Sequence, residues 1–361
     1  MWANKMRKPK LSYIAVMPAL CLAATALTAP LRAETLAIPL EETFRAHCSL
    51  KAESAEKTEA MTVAGKDGWL FLGRELRHIG AGKFWGDAAT KVSQASKPEN
   101  ADPLPAILDF KAQLDKAGIE LLLVPVPPKA VIYPDKISDF VPSERTPRLD
   151  VLHQEFYALL NKNSIQVLDL VPNFLAHRND AEGEVYCKTD THWSGRGCVI
   201  AAQRIAKEIQ NRPWLKNITK LKTTTQNKTV AIEGDLAKAL NPQAPKETLP
   251  LRFVHTAQKP IEPSRESPIL LLGDSHNLVF HAGEDMLATG SGLPDQLAAE
   301  LGFPVDLIAV RGSGATPARI SLLRQARANA DYLKHKKLVI WCFSAREFTE
   351  SSGWQKVPVV R

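Results

Sequence analysis

The sequence predicts a three-layer α/β/α domain built on a mostly parallel five-stranded sheet. Two observations carry this. Five runs of strand length, centred near residues 121, 167, 270, 306 and 339, are apolar on both faces, the pattern of strands covered on both sides. Helical stripes alternate with them, as in sheets whose parallel strands are joined by crossover helices. The 361-residue chain is 45% hydrophobic and 24% charged, an ordinary globular composition that excludes wholesale disorder.

Met1–Lys10 is basic, residues 11–31 carry no charge, and Leu31-Arg32-Ala33 places a small residue before Glu34. This is the layout of a secretory signal peptide over residues 1–33. An uncleaved membrane anchor is the alternative, because 21 uncharged residues can cross a core of ~30 Å. Pro18 and Pro30 weaken that anchor. Either way the body is expected in the periplasm. The leader also accounts for most of the basic charge: the whole chain is +7, but the residues after Ala33 hold 41 basic against 39 acidic groups. A near-neutral body has no general attraction to nucleic acid. No second apolar run is long enough to span a bilayer.

Residues 34–60 read as a polar lead-in, and Gly65–Leu72 as a turn feeding a strand. Lys91–Pro105 reads as a loop from its Ser, Pro and Asn content. Leu104–Ala117 has a helical stripe, and Glu120–Val126 is an apolar strand. Leu149–Asn161 is a helix and Ile165–Leu170 the next strand. Gly195–Gln210 is a helix with Ser194 placed to cap it. Residues 211–266 are Lys-, Thr- and Pro-rich and read as an insertion or excursion. Pro268–Gly273 is a strand, Leu293–Leu301 a helix and Val305–Val310 a strand. Pro317–Ala330 is a helix with proline in its first turn, and Lys337–Phe343 is the last strand. Residues 61–361 thus form one domain, and chemistry is expected beyond the carboxyl ends of its strands.

Two clusters sit at such positions. Gly273-Asp274-Ser275-His276 follows a strand directly. A glycine lets the chain turn sharply, so Ser275 would project at the sheet edge with its backbone N–H free, as a nucleophile with a built-in oxyanion donor requires. Alone, Gly-Asp-Ser is also a common turn. The second cluster, Lys188-Thr-Asp190-Thr-His192-Trp193-Ser194, precedes a helix. Asp and His two apart in extended chain point the same way, so a carboxylate can hold one imidazole nitrogen and free the other to take a hydroxyl proton. A metal on Cys187, Asp190 and His192 is a lesser alternative, and none is expected.

Gly-Asp-Ser after a strand resembles the first block of SGNH-type serine hydrolases and acyltransferases. Here, however, Asp-x-His-Trp precedes the serine by 83 residues, whereas most of that superfamily places its Asp/His pair after it. The permuted order of the catalytic blocks is similar to the polysaccharide O-acetyltransferase branch, the alginate O-acetyltransferase AlgJ/AlgX family. Gly68–Leu72, Pro125–Lys129, Tyr133–Lys136 and Val339–Thr349 agree, so the resemblance runs over about residues 60–350. It implies an SGNH-hydrolase-like domain with Ser275 as nucleophile, His192 as base and Asp190 as orienting acid. Gly312-Ser-Gly314 resembles the glycine block that helps hold the oxyanion, while no equivalent of the asparagine block is evident. No carbohydrate-binding module is expected after the last strand. His276 and His281 lie near the nucleophile without an assigned role.

Four further side chains are candidates for substrate contact. Arg311 and Arg346 sit at strand ends and could grip an acidic sugar or form surface ion pairs. Trp193 could stack on a sugar ring or pack in the core. Lys129 could meet substrate or be a solvated charge. Of the cysteines after the leader, Cys342 lies in an apolar run and reads as a buried thiol. A Cys48–Cys187 disulfide is expected to brace the catalytic loop, with Cys187–Cys198 as the local alternative.

The expected function is transfer of acetyl through an acetyl-serine onto hydroxyls of an exopolysaccharide such as alginate. An SGNH-type acetylesterase, with water as acceptor, is the alternative, and a non-catalytic polysaccharide-binding subunit of an export complex is a second. No cofactor is expected, and the acetyl donor is not legible. The resemblance implies a membrane O-acyltransferase and other export proteins as partners.

Overall fold

The computed structural model describes residues 39–257 and 259–360, so the expected leader at 1–33 lies outside the described residues. Within the lead-in, residues 40–57 form a helix, α1 (Leu40–Lys57). Its polarity masks a narrow stripe: Phe44, Cys48, Ala52 and Ala55 recur at helical spacing and are buried. A hairpin follows, β1 (Thr62–Ala64) with β2 (Leu70–Leu72). Asp67 and Gly68 at its turn have φ of 54° and 79°, and positive φ at both central residues is what a tight hairpin turn demands. α2 (Gly73–Gly80) then packs along α1.

A short helix, α3 (Ala89–Val92), precedes α4 (Pro103–Lys116). Asp102 caps α4 by accepting from the Leu104 N–H at 2.9 Å, with proline just inside the helix. The order continues with β3 (Glu120–Val126), α5 (Lys129–Ile132), α6 (Val151–Lys162), β4 (Gln166–Val167) and α7 (Val171–His177). β4 is shorter than expected because, as an edge strand, it pairs only with Leu122 and Leu123 of β3. α8 (Gly195–Ile209) starts on Ser194, whose Oγ accepts from the N–H groups of Arg196 and Gly197 at 3.1 and 3.2 Å.

The excursion is ordered. β5 (Thr224–Ile232), α9 (Asp235–Leu240), β6 (Glu247–Thr256) and β7 (Lys259–Pro260) build a separate three-stranded antiparallel sheet. β8 (Ile269–Gly273), α10 (Leu293–Leu301), β9 (Asp306–Ala309), α11 (Thr316–Ala328), β10 (Leu338–Ser344) and α12 (Glu347–Glu350) complete the chain.

The main sheet has the order β4-β3-β10-β8-β9, and all four pairings are parallel. Side chains alternate between its faces. Leu122, Val124, Leu271 and Ile340 join one core with residues of α1, α2, α8 and α10. Leu121, Leu123, Leu270, Leu272 and Trp341 join the other with α4, α6 and α11. The central strands are therefore apolar on both faces, and both are covered. Among the described residues no helix is long and apolar enough to cross a membrane.

Candidate active site

Ser275 sits two residues past the end of β8, which pairs with the central strand β10. A Cβ on Gly273 would run into the carbonyl of Cys342 on β10, so only glycine allows β8 to lie this close before turning. Asp274 holds the turn. Its Oδ1 accepts from the His276 N–H at 2.9 Å and from Nδ1–H of the same residue at 3.1 Å. Its Oδ2 accepts from the Ser344 N–H at 2.7 Å, tying the turn to the end of β10. The Ser275 N–H has no acceptor among the described residues.

The second cluster folds over this turn. The loop between Tyr186 and Trp193 closes on an antiparallel bridge, and its Asp190 and His192 are buried. Asp190 Oδ1 accepts from His192 Nδ1 at 2.7 Å and from the His192 N–H at 3.0 Å, while Oδ2 accepts from the Asp235 N–H at 3.0 Å. His192 Nε2 lies 2.7 Å from Ser275 Oγ. The carboxylate thus fixes the tautomer, and the free nitrogen faces the hydroxyl.

Burial alone would push the His192 pKa down, but the Asp190 charge and hydrogen bond outweigh it and raise the pKa above the usual imidazole value. Burial likewise works against ionised Asp190, yet the facing imidazole and the N–H donors hold its carboxyl well below the usual range. The two shifts agree on an ionised carboxylate supporting a strengthened base. Asp190, His192 and Asp235 also bring one ligand-type atom each within 4.8 Å of one another. Those groups are already engaged in hydrogen bonds with the loop and with Ser275.

A family model described as SGNH hydrolase-like domain, acetyltransferase AlgX, matches residues 62–345. The chain belongs to this AlgX family. A curated relative, the probable alginate O-acetylase AlgJ of Pseudomonas syringae pv. tomato, is 31% identical over 178 residues, 49% of this chain and 41% of that protein. The Pseudomonas fluorescens protein of the same description is 27% identical over 230 residues, 60% of this chain and 53% of its own length. The chain thus spans about half the length, or less, of these relatives. The solved O-acetyltransferase domain of Pseudomonas putida AlgJ superposes with a TM-score of 0.58 at 23% identity, covering 80% of this chain and 92% of that one. That likeness shows the fold.

Within this AlgX-family site the remaining candidates separate by their contacts. Gly314 packs against the turn that carries Ser275: a Cβ there would lie 3.0 Å from the Asp274 nitrogen and 2.5 Å from Phe343 Cβ. Gly312 needs its freedom for a φ of 107°. Among the described residues neither backbone N–H has an acceptor. Arg346 follows β10 and donates to Ser344 Oγ at 3.0 Å, with no carboxylate partner among the described residues. Its charge is felt at Glu75, Asp274, His192 and Glu347. Burial pushes the Glu347 pKa to about 7 even though Arg346 opposes it, and Glu347 accepts a hydrogen bond from Ser313 Oγ beside Gly314.

Two expectations, for Lys129 and for the disulfide, are corrected, and for Trp193 and Arg311 the structure shows the second of the two readings. Lys129 is neither solvated nor open to a sugar. It is buried, and Nζ donates to the carbonyls of Leu70 and Asp190 at 2.8 Å and of Lys188 at 3.3 Å. Trp193 is fully buried with its indole N–H on the His276 carbonyl at 3.0 Å, so it packs the turn that carries Ser275 and offers no face to a sugar. Arg311 is spent on a two-point ion pair with Asp285, each contact 2.7 Å. Finally, Cys48, Cys187, Cys198 and Cys342 are all free and buried. Cys48 lies on the core face of α1, and the Cys187 thiol points to the Trp193 carbonyl, so neither pairing forms.

The two histidines near Ser275 acquire places. His276 packs its ring against His192 with centroids 4.9 Å apart, and burial lowers its pKa to about 4 despite Asp274. It is therefore a neutral wall behind His192. His281 turns away to Asp295 at the start of α10, at 2.9 Å.

Proposed function

We propose that this chain is an exported O-acetyltransferase that carries acetyl on Ser275 and passes it to hydroxyls of an exopolysaccharide. Alginate, which stands in the names of the curated relatives, is the first acceptor to test. The observation that carries the reading is the relay of two 2.7 Å contacts from Asp190 through His192 to Ser275. In the first half-reaction His192 Nε2 takes the Ser275 proton as Oγ attacks the carbonyl carbon of an acetyl ester. In this reading the tetrahedral oxyanion is met by the free Ser275 N–H, with the glycine block Gly312–Gly314, whose Gly314 packs on Asp274, supplying the second donor. Collapse breaks the bond to the leaving alcohol, which takes the proton from His192 and departs. Acetyl then remains on Oγ.

The second half-reaction runs the same steps in reverse with a sugar hydroxyl. His192 takes its proton, the oxygen attacks the acetyl carbonyl, and Oγ leaves with the proton returned from His192. The steps as written need no cofactor and no metal. Orienting the hydroxyl can supply effective molarities of ~10⁵ M or more, well above water at about 55 M. Arg346, whose guanidinium keeps most of its donors uncommitted, is the side chain placed in this reading to grip an acidic sugar. Residues 1–33 would deliver the chain to the periplasm, where a membrane O-acyltransferase would supply acetyl. Incubation with an activated acetyl ester, with and without acidic and neutral oligosaccharides, tests the reading. Acetyl should be diverted from free acetate to the sugar. Brisk acetate release with no sugar accepting acetyl would make the protein an esterase.

A further inference from the structure

We propose that Asp235 and Glu247, both from the excursion, are positioning residues that hold the loop Lys188–His192 in its reactive shape. The proposal rests on the acetyl-transfer reading above. Glu247 takes the N–H groups of Lys188 and Thr189 at 2.8 Å each, and the Thr189 hydroxyl at 2.6 Å. Asp235 takes the N–H and the hydroxyl of Thr191, both at 2.7 Å. Its own N–H donates to Asp190 Oδ2 at 3.0 Å, and the Ala237 N–H donates to the Thr189 carbonyl at 3.0 Å. A Cβ on Gly234 would collide with the Thr189 backbone, so α9 is seated directly on the loop.

Neither carboxylate has a Lys or Arg partner within ion-pair distance among the described residues. Both spend their acceptor capacity on this one loop. Lys129 does the complementary work from the other side, binding the carbonyls of Lys188 and Asp190. Backbone N–H groups are thus gripped by carboxylates and backbone carbonyls by an ammonium. A shift of about 1 Å in a catalytic group can cost ~10²-fold in rate, so the grip acts on turnover. Asp235 also adds negative charge near His192, alongside Asp190, with Arg346 opposing, Glu75 within electrostatic reach and the neutral His276 ring packed against it.

The test uses turnover of an activated acetyl ester by the full chain. Asp235→Ala should lower kcat by ~10- to 100-fold with KM within about twofold, and Glu247→Ala by roughly tenfold. Asp235→Asn and Glu247→Gln keep one acceptor and should recover part of each loss. Asp235→Asn should also move the acidic limb of kcat/KM to lower pH, because a charge that favoured the imidazolium is gone. If an alanine variant does not fold, the paired amide variant decides by the same two readouts. Rates within twofold of wild type together with an unmoved limb overturn the proposal. Ser275→Ala in the same assay separates the two claims. Full turnover by that variant defeats the acetyl-serine reading, whereas a dead Ser275→Ala beside fully active Asp235 and Glu247 variants defeats only the clamp.

Discussion

Asp190→Asn probes the relay without changing its shape. The native carboxylate accepts three hydrogen bonds: two from His192 and one from the Asp235 N–H. An amide offers one oxygen and one NH2. If the NH2 faces His192, Nδ1 becomes the acceptor, the ring proton moves to Nε2, and Nε2 can no longer take the Ser275 proton 2.7 Å away. If the NH2 faces the Asp235 N–H, two donors oppose each other in a buried site, at a cost of about 1–3 kcal/mol. The imidazolium formed during reaction also loses a charge-assisted bond, about 1.5–3 kcal/mol more. Together these come to about 2.5–6 kcal/mol, or ~10²- to 10⁴-fold in rate at 1.36 kcal/mol per decade. Initial rates with an activated acetyl ester, with folding checked by circular dichroism, measure it. A variant within tenfold of wild type would refute the role given to Asp190.

Three further outcomes follow from the same geometry. His192→Ala should lose as much ester turnover as Ser275→Ala, and the double variant little more than either, because the two act as a unit; multiplicative losses in a rate series would separate them. The pH–rate profile of kcat/KM should have its acidic limb above the ordinary imidazole value near 6.5, since Asp190 raises the His192 pKa and only neutral His192 can accept the proton; a limb below that value would contradict the pairing. Protein beginning after Ala33 and unfolded without reductant should show four thiols to a thiol-labelling reagent, matching the free cysteines at 48, 187, 198 and 342; two fewer would restore a disulfide.

The main sheet was legible because its strands bury both faces, which leaves apolar runs such as Glu120–Val126 with no competing pattern. The pair of chemical clusters was legible because each is local: Gly-Asp-Ser behind a strand and Asp-x-His before a capped helix. α1 was hidden because its buried stripe is narrow and made partly of alanine and cysteine. β5 was hidden because nearly all its residues are exposed, so polar side chains cover a strand whose order comes from pairing with β6. Lys129 shows a deeper limit. Its role is set by carbonyls 59 to 61 residues away in sequence, and carbonyls carry no residue identity. Asp235 and Glu247 were missed likewise, since their partners are mostly backbone N–H groups. The disulfide expectation failed because cysteine count and separation say nothing about which way α1 turns its buried face.

The measurement that tests the central claim most directly is mass spectrometry of peptides from protein quenched during turnover of an activated acetyl ester. The account predicts acetyl on the peptide bearing Ser275, its absence from Ser275→Ala, and its passage to sugar when a suitable oligosaccharide is added. Turnover with no acetyl on that peptide, or with acetyl at another residue that survives in Ser275→Ala, would contradict it.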